Sequence, residues 1–221
     1  MFNVVRSHQA PDVKRNYLSK EVVFELEKIF YGKCYLCEDI VADAQIDHFI
    51  PVEIDKNKKY DWNNLYYACN RCNNIKSTAS DLLDCCDPNI NVFEAIKCLC
   101  ATNKIDDVLV EAQRDDVKTL NTAQLLHRCY NENNTAIRCI SRKQLHEKIF
   151  QKYSEFLFQS NKLYDLSSSE KEKNRAKEEL KNMTDISYPF SVFWKWHIKS
   201  DIFLSTQISE KNYERQSKST I

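Results

Sequence analysis

The sequence has one glycine, Gly32, only four prolines and no net charge, since 32 lysines and arginines balance 32 aspartates and glutamates. It also lacks any apolar run near the roughly 20 residues that a membrane-spanning helix needs, which excludes a helical span. No internal repeat is present, and Met1 to Val5 is a short apolar run without a cleavage site, so no signal peptide is expected. The missing charge bears on partners. Most non-specific affinity for nucleic acid comes from neutralising phosphates. A neutral chain is therefore expected to present a local basic face at most, and to need a protein partner to hold a polyanion. With 43% hydrophobic and 29% charged residues, the 221 residues suffice for one large domain or two small ones with a buried core.

Cysteine is abundant. Ten cysteines without a signal peptide point to a reducing cytoplasm and metal binding rather than to disulfides. Four of them form two Cys-x2-Cys knuckles, Cys34 with Cys37 and Cys69 with Cys72, the spacing of a tetrahedral thiolate zinc site. Four thiolates fill the shell of the ion, so this zinc is structural. The interval between the knuckles exceeds what a compact zinc ribbon needs. It holds Asp47-His48-Phe49-Ile50-Pro51 and Trp62-Asn63-Asn64-Leu65, and Asn73 and Lys76 follow the second knuckle. Cys85, Cys86, Cys98, Cys100, Cys129 and Cys139 lack such spacing and are expected as packed thiols. Packing is likewise expected for His127 and His146, and exposure for His8.

These landmarks resemble the motif of the HNH endonucleases, whose fold is the ββα-metal, or His-Me, finger. An acidic residue and His before an apolar step and Pro, an Asn-Leu step, and Cys-x2-Cys followed by Asn and then Lys all agree in spacing, over roughly residues 30 to 80. The sequence departs at Asn73, where many members carry His. The resemblance implies an α+β, mainly helical protein: an N-terminal finger closed by the four-cysteine zinc site in residues 1–85, then a helical region in 86–221. In length, early nuclease motif and helical second half, the chain is also similar to small HNH proteins of bacterial anti-phage systems of the Septu type. That likeness implies an antiviral role and an ATPase partner.

Phosphodiester hydrolysis needs a base for water, an electrophile for the phosphoryl charge and help for the leaving oxygen; one metal can supply the last two. A neutral histidine suits the first, and His48 is assigned to it. Asn64 is the candidate to tether the loop that fixes the ring. Asp47 and Asn73 offer hard oxygens, suited to Mg²⁺ or Mn²⁺. Lys76, Lys58 and Lys59 are candidates for the substrate phosphates. DNA is favoured over RNA because nothing recognisably reads a 2′-hydroxyl. The rival reading is a non-catalytic zinc module that binds nucleic acid or protein.

The remaining elements follow from pattern. Residues 1–18 read as an extended lead-in. A helix follows Ser19, with Val22, Val23, Leu26, Ile29 and Phe30 at helical spacing, and Gly32 turns the chain into the first knuckle. Residues 44–50 and 65–68 read as strands, 55–59 as a loop, and Asn70 opens a helix. Asp87-Pro88-Asn89 marks a boundary, and residues 92–100 are a buried helix or strand. Residues 120–130 and 137–158 are helices, Ser167 with Glu170 forms a capping box, and the charged run to Lys181 is a solvated helix. The aromatic stretch Pro189 to Phe203 is either a partner-docking element, because Phe193, Trp194 and Trp196 cannot all face one way on a helix, or a helix in which Trp194 and Trp196 finish the core. The polar tail after Ser209 is expected to fray.

Overall fold

The computed structural model describes residues 1–6, 10–13 and 16–209. His8 and the tail after Ser209 lie outside them. Helix α1 (Lys20–Ile29) starts where the Ser19 hydroxyl accepts from the Val22 N–H, and it buries Val22, Leu26 and Ile29 along one face. Beyond it Tyr31 and Gly32 both take positive φ, 57° and 66°. This left-handed pair reverses the chain into the first knuckle, and the Gly32 N–H closes back on the Glu27 carbonyl at 2.8 Å.

The finger follows. Strand β1 (Ala44–His48) pairs antiparallel with β2 (Leu65–Cys69), in a register that sets Ala44 opposite Cys69 and His48 opposite Leu65. Helix α2 (Asn70–Lys76) starts directly from β2. Between the strands the charged segment is not a loop: Lys56–Tyr60 forms a 3-10 turn, because the Asp55 carboxylate caps it at the Asn57 N–H. A second 3-10 turn, Trp62–Asn64, leads into β2.

The ambiguous stretch after residue 91 is both candidates in succession, a one-turn helix α3 (Val92–Ala95) and a strand β3 (Ile96–Leu99) paired antiparallel with β4 (Leu109–Ala112). Helices α4 (Val117–Asn131), α5 (Ala136–Tyr164), α6 (Glu170–Met183), α7 (Ser191–Ser200) and α8 (Ile202–Ser209) complete the chain. The capping box of α6 sits two residues beyond its expected place, on Ser169 and Glu172. Asp165 captures both the N–H and the hydroxyl of Ser167, so the helix starts later. Charged as it is, α6 buries a stripe of Ala176, Leu180 and Met183.

Segments far apart in the sequence lie in one core. Met1, Phe2, Val4 and Val13 of the lead-in are buried, and the buried residues from both sides of residue 85 form one cluster. On α7, Phe193, Trp194 and Trp196 are all buried, so none of the three faces outward. Trp196 Nε1 donates to the Ile96 carbonyl at 3.0 Å and Trp194 Nε1 to the Pro189 carbonyl at 3.0 Å. The Phe193 ring meets Tyr130 at 5.3 Å and Trp194 meets Phe156 at 5.7 Å. Lys199 and Ser200 of the same helix stay exposed and Lys195 half-buried, while the three aromatic side chains finish the core.

Two polar devices lock the parts together. No side chain of its own caps α7. Glu38, next to the knuckle, does so instead, its carboxylate accepting from Ser191 Oγ at 3.1 Å and from the Val192 N–H at 3.4 Å. The same carboxylate meets the Met1 amine at 3.2 Å and Lys33 Nζ at 3.5 Å. Burial pushes its pKa up, but the amine and Lys33 outweigh this and hold it below the ordinary value. The second device is Arg71, between the ligands of the second knuckle. Its guanidinium donates to the Cys129 and Glu132 carbonyls at the end of α4, and to the Arg138 carbonyl and Ser141 Oγ of α5. His146 is buried against the Tyr130 carbonyl, whereas His127 is exposed.

His197 on α7 yields a pH prediction. Its ring stacks on Tyr153 at 5.1 Å, its Nε2 lies 3.0 Å from Cys100 Sγ, and burial pushes its pKa down to about 4. An unfolded histidine titrates near 6.5, so the unfolded state binds more protons between those values. Stability is thus fully present above about pH 6.5 and lost progressively down to about pH 4, by roughly 2–3 kcal/mol. Denaturant melts of wild type and His197→Phe across that window should show the wild type losing this much more; parallel curves would contradict the assignment.

Candidate active site

The site grows from the turn between β1 and β2. The Asn64 side chain is buried and fully used: Oδ1 accepts from the Ile50 N–H at 2.7 Å, and Nδ2 donates to the Ile50 and Lys58 carbonyls at 2.9 and 3.1 Å. One amide thus joins the exit of β1, the first 3-10 turn and the start of β2. It holds the neighbouring Lys59 carbonyl 3.0 Å from His48 Nε2. A carbonyl only accepts, so Nε2 carries the proton in this arrangement and Nδ1 keeps its lone pair. Tyr17 meets the imidazole edge-on at 4.9 Å. The ring is therefore oriented by a backbone carbonyl, and Asn64 orients it indirectly by holding the turn.

Asp47 and His48 diverge, as neighbours on a strand must. Asp47 is buried, Oδ2 accepting from Tyr35 Oη at 2.6 Å and Oδ1 lying 3.2 Å from Lys76 Nζ. Burial raises its pKa, which Lys76 and the Tyr35 hydrogen bond offset only in part. Lys76 is not placed at the surface to meet a phosphate. Only 1% exposed, it spends its ammonium on Asp47 and, at 2.8 Å, on the His48 carbonyl. Lys58 pairs with Asp61 at 2.6 Å, and Lys59 is half-buried, its Nζ beside the Tyr60 ring.

Asn73 lies on α2, and its Nδ2 donates to Gln45 Oε1 at 2.7 Å, leaving Oδ1 for another contact. Gln45 and Asp47 are two apart on β1 and share the face toward α2, so Asn73 and Asp47 sit across one seam. Of these two hard-oxygen residues, of the kind that Mg²⁺ or Mn²⁺ takes, Asn73 has Oδ1 uncommitted, while each Asp47 oxygen already has one partner.

The four knuckle cysteines come together with their sulfur atoms all within 4.8 Å of one another. Cys37 and Cys69 lie 3.9 Å apart, against the ~3.8 Å edge of a tetrahedron with Zn–S bonds of about 2.3 Å. Hydrogen bonds from Cys34, Cys37 and Cys72 pull the Cys69 thiol far below the ordinary range, toward the thiolate that zinc binds. Cys69 Sγ also caps α2 by accepting from the Cys72 N–H at 3.3 Å. The cluster is compatible with zinc and, with four sulfurs, closed to substrate.

Sequence reasoning missed Arg6, Tyr17 and Gln45. Arg6 donates to the Trp62, Asn63 and Leu65 carbonyls at 3.1, 3.2 and 2.9 Å, and its guanidinium lies 4.7 Å from the Tyr66 ring centroid. It thereby clamps the turn that carries Asn64. A lone arginine in irregular chain, remote from the motif, gives no sequence signal of this.

With this geometry in view, residues 34–79 match the family model described as HNH endonuclease. Over that segment the chain resembles HNH endonuclease domains. No curated protein and no solved structure matches the chain. Among the described residues, no helix is long and apolar enough to cross a membrane.

Metal analysis should find zinc in the purified protein. Cys37→Ser or Cys69→Ser should lose it and drop the melting temperature steeply, since thiolate zinc supplies on the order of 10 kcal/mol in small zinc modules. Asn73→Ala should keep it. Equal zinc loss in all three would merge the two sites into one.

Proposed function

We propose that the chain is a metal-dependent endonuclease that hydrolyses phosphodiester bonds, with DNA as its polymer. The observation that carries this reading is the His48 ring, held through Nε2 by the Lys59 carbonyl, with Nδ1 left basic. His146 is held to the Tyr130 carbonyl in the same way; what sets His48 apart is its place at the end of β1, inside the segment that matches the family model.

In the proposed mechanism Nδ1 of His48 takes a proton from the attacking water, while the Lys59 carbonyl stabilises the imidazolium that forms. Asp47 and Asn73 would hold Mg²⁺ or Mn²⁺, which when bound supplies charge stabilisation for the phosphoryl group and the leaving oxygen. Lys76 acts from within the finger: by bonding Asp47 and the His48 carbonyl it holds the end of β1 against α2 and fixes where both side chains start. Arg6 and Asn64 are positioning residues, acting on His48 through the turn. A reducing compartment, the cytoplasm, belongs to this reading and is supported by the paired knuckle spacing, which suits a thiolate zinc site. The narrower reading, an antiviral effector beside an ATPase, is supported by the likeness in length, early motif and helical second half.

His48→Ala should lower metal-dependent DNA cleavage ~10²–10⁴-fold with zinc and fold intact; wild-type cleavage by that variant would sink the mechanism. Arg6→Lys cannot make the three-carbonyl clamp. It should lower kcat with KM little changed, and a change confined to KM would instead place Arg6 at the substrate.

A further inference from the structure

Beside His48 lies an aromatic surface that hydrolysis itself does not use. The buried tyrosines of the finger, Tyr35, Tyr66 and Tyr67, all donate hydrogen bonds through their hydroxyls, to Asp47, Asp84 and the Val41 carbonyl. Tyr17 and Tyr60 make no such bond among the described residues. Tyr17 touches the His48 ring, Tyr60 lies 6.1 Å beyond Tyr17, and Tyr60 is 41% exposed. Lys59 Nζ stands 5.2 Å from the Tyr60 ring centroid. Tyr60 is also placed firmly, because it directly follows the residue whose carbonyl orients His48 and closes the capped 3-10 turn. A ring held there is set in advance of any ligand.

Charge alone does little at this site. The chain is neutral, Lys76 is enclosed and Lys58 is paired with Asp61. Affinity must then draw on contacts other than phosphate neutralisation, and an exposed aromatic ring with an ammonium over one face is an arrangement that can take a nucleobase. A base inside a duplex is already covered on both faces and cannot stack on a side chain without leaving the helix. Resting on the nuclease reading above and narrowing it, we infer that Tyr60, backed by Tyr17 and Lys59, is a stacking platform for an unpaired base next to the scissile phosphate, so that the substrate class is single-stranded DNA.

The test uses the full-length, zinc-loaded protein without added Mg²⁺ or Mn²⁺, so that binding is separated from cleavage. The probe is a fluorescein-labelled, mixed-sequence oligodeoxynucleotide, alone or annealed to its complement, followed by anisotropy. The single strand should bind more tightly than the duplex. Tyr60→Ala should weaken single-strand binding roughly five- to a hundred-fold, Tyr60→Phe should preserve it, and neither should move duplex binding. Unchanged single-strand binding by Tyr60→Ala, or an equal loss on both probes, would overturn the platform. Cleavage by the wild type with Mg²⁺, scored separately, tells the readings apart: cleavage with an inert Tyr60→Ala removes the platform alone. Neither binding nor cleavage removes both.

Discussion

A carboxylate cannot be taken out of water without partners, and the burial of Glu38 is the constraint that arranges much of this fold. Its oxygens draw in the Met1 amine, the Lys33 ammonium and the amino end of α7. Each comes from a different part of the chain, so the electrostatic requirement of one side chain brings the first residue, the knuckle and the penultimate helix to one point. Truncating it would leave Lys33 buried without its partner, a defect that typically costs several kcal/mol. The burial of the α7 aromatics follows, because a helix anchored there by its first turn lies against the core.

The catalytic region uses weaker groups in series. Arg6 holds three carbonyls, the turn they belong to presents Asn64, Asn64 holds the Ile50 and Lys58 carbonyls, and the next carbonyl holds His48. Almost every contact in this relay ends on backbone oxygen. The chemistry of the intervening side chains is thereby left open, and Lys58 and Lys59 contribute mainly their main chain.

The finger was legible because its spacing leaves few geometries: two knuckles, a histidine at a strand end and an amide in the turn. Asn64, expected as a tether, bonds the Ile50 N–H and the Ile50 and Lys58 carbonyls. The helices after residue 117 were legible from periodicity, and the paired ends of β1 and β2 from residue type. What escaped depended on distant partners. Nothing in Met1 to Arg6 signals that it packs under the finger, because its contacts are made with Glu38, Cys85 and Trp62. The argument about Phe193, Trp194 and Trp196 counted faces on an isolated helix, whereas α7 packs more than one side against the core and leaves Lys199 and Ser200 outside. Lys76 was read as a phosphate contact because the sequence does not say that Asp47 points inward. Ser167 lost its cap to Asp165, a competition settled by local geometry that spacing alone does not resolve.

Arg71 carries a consequence for heredity. Small metal modules are often thought of as cassettes, movable between genes because their folding is self-contained. Here a residue sitting between two knuckle cysteines spends its guanidinium on the far side of the molecule, stitching α4 to α5. A transplanted cassette would take that arginine along without its acceptors, and the donor would keep helix ends with bare carbonyls. Such a seam makes the two parts a joint inheritance: a recombination break between them is penalised on both sides, and the lineage is held to change the finger and the helices together.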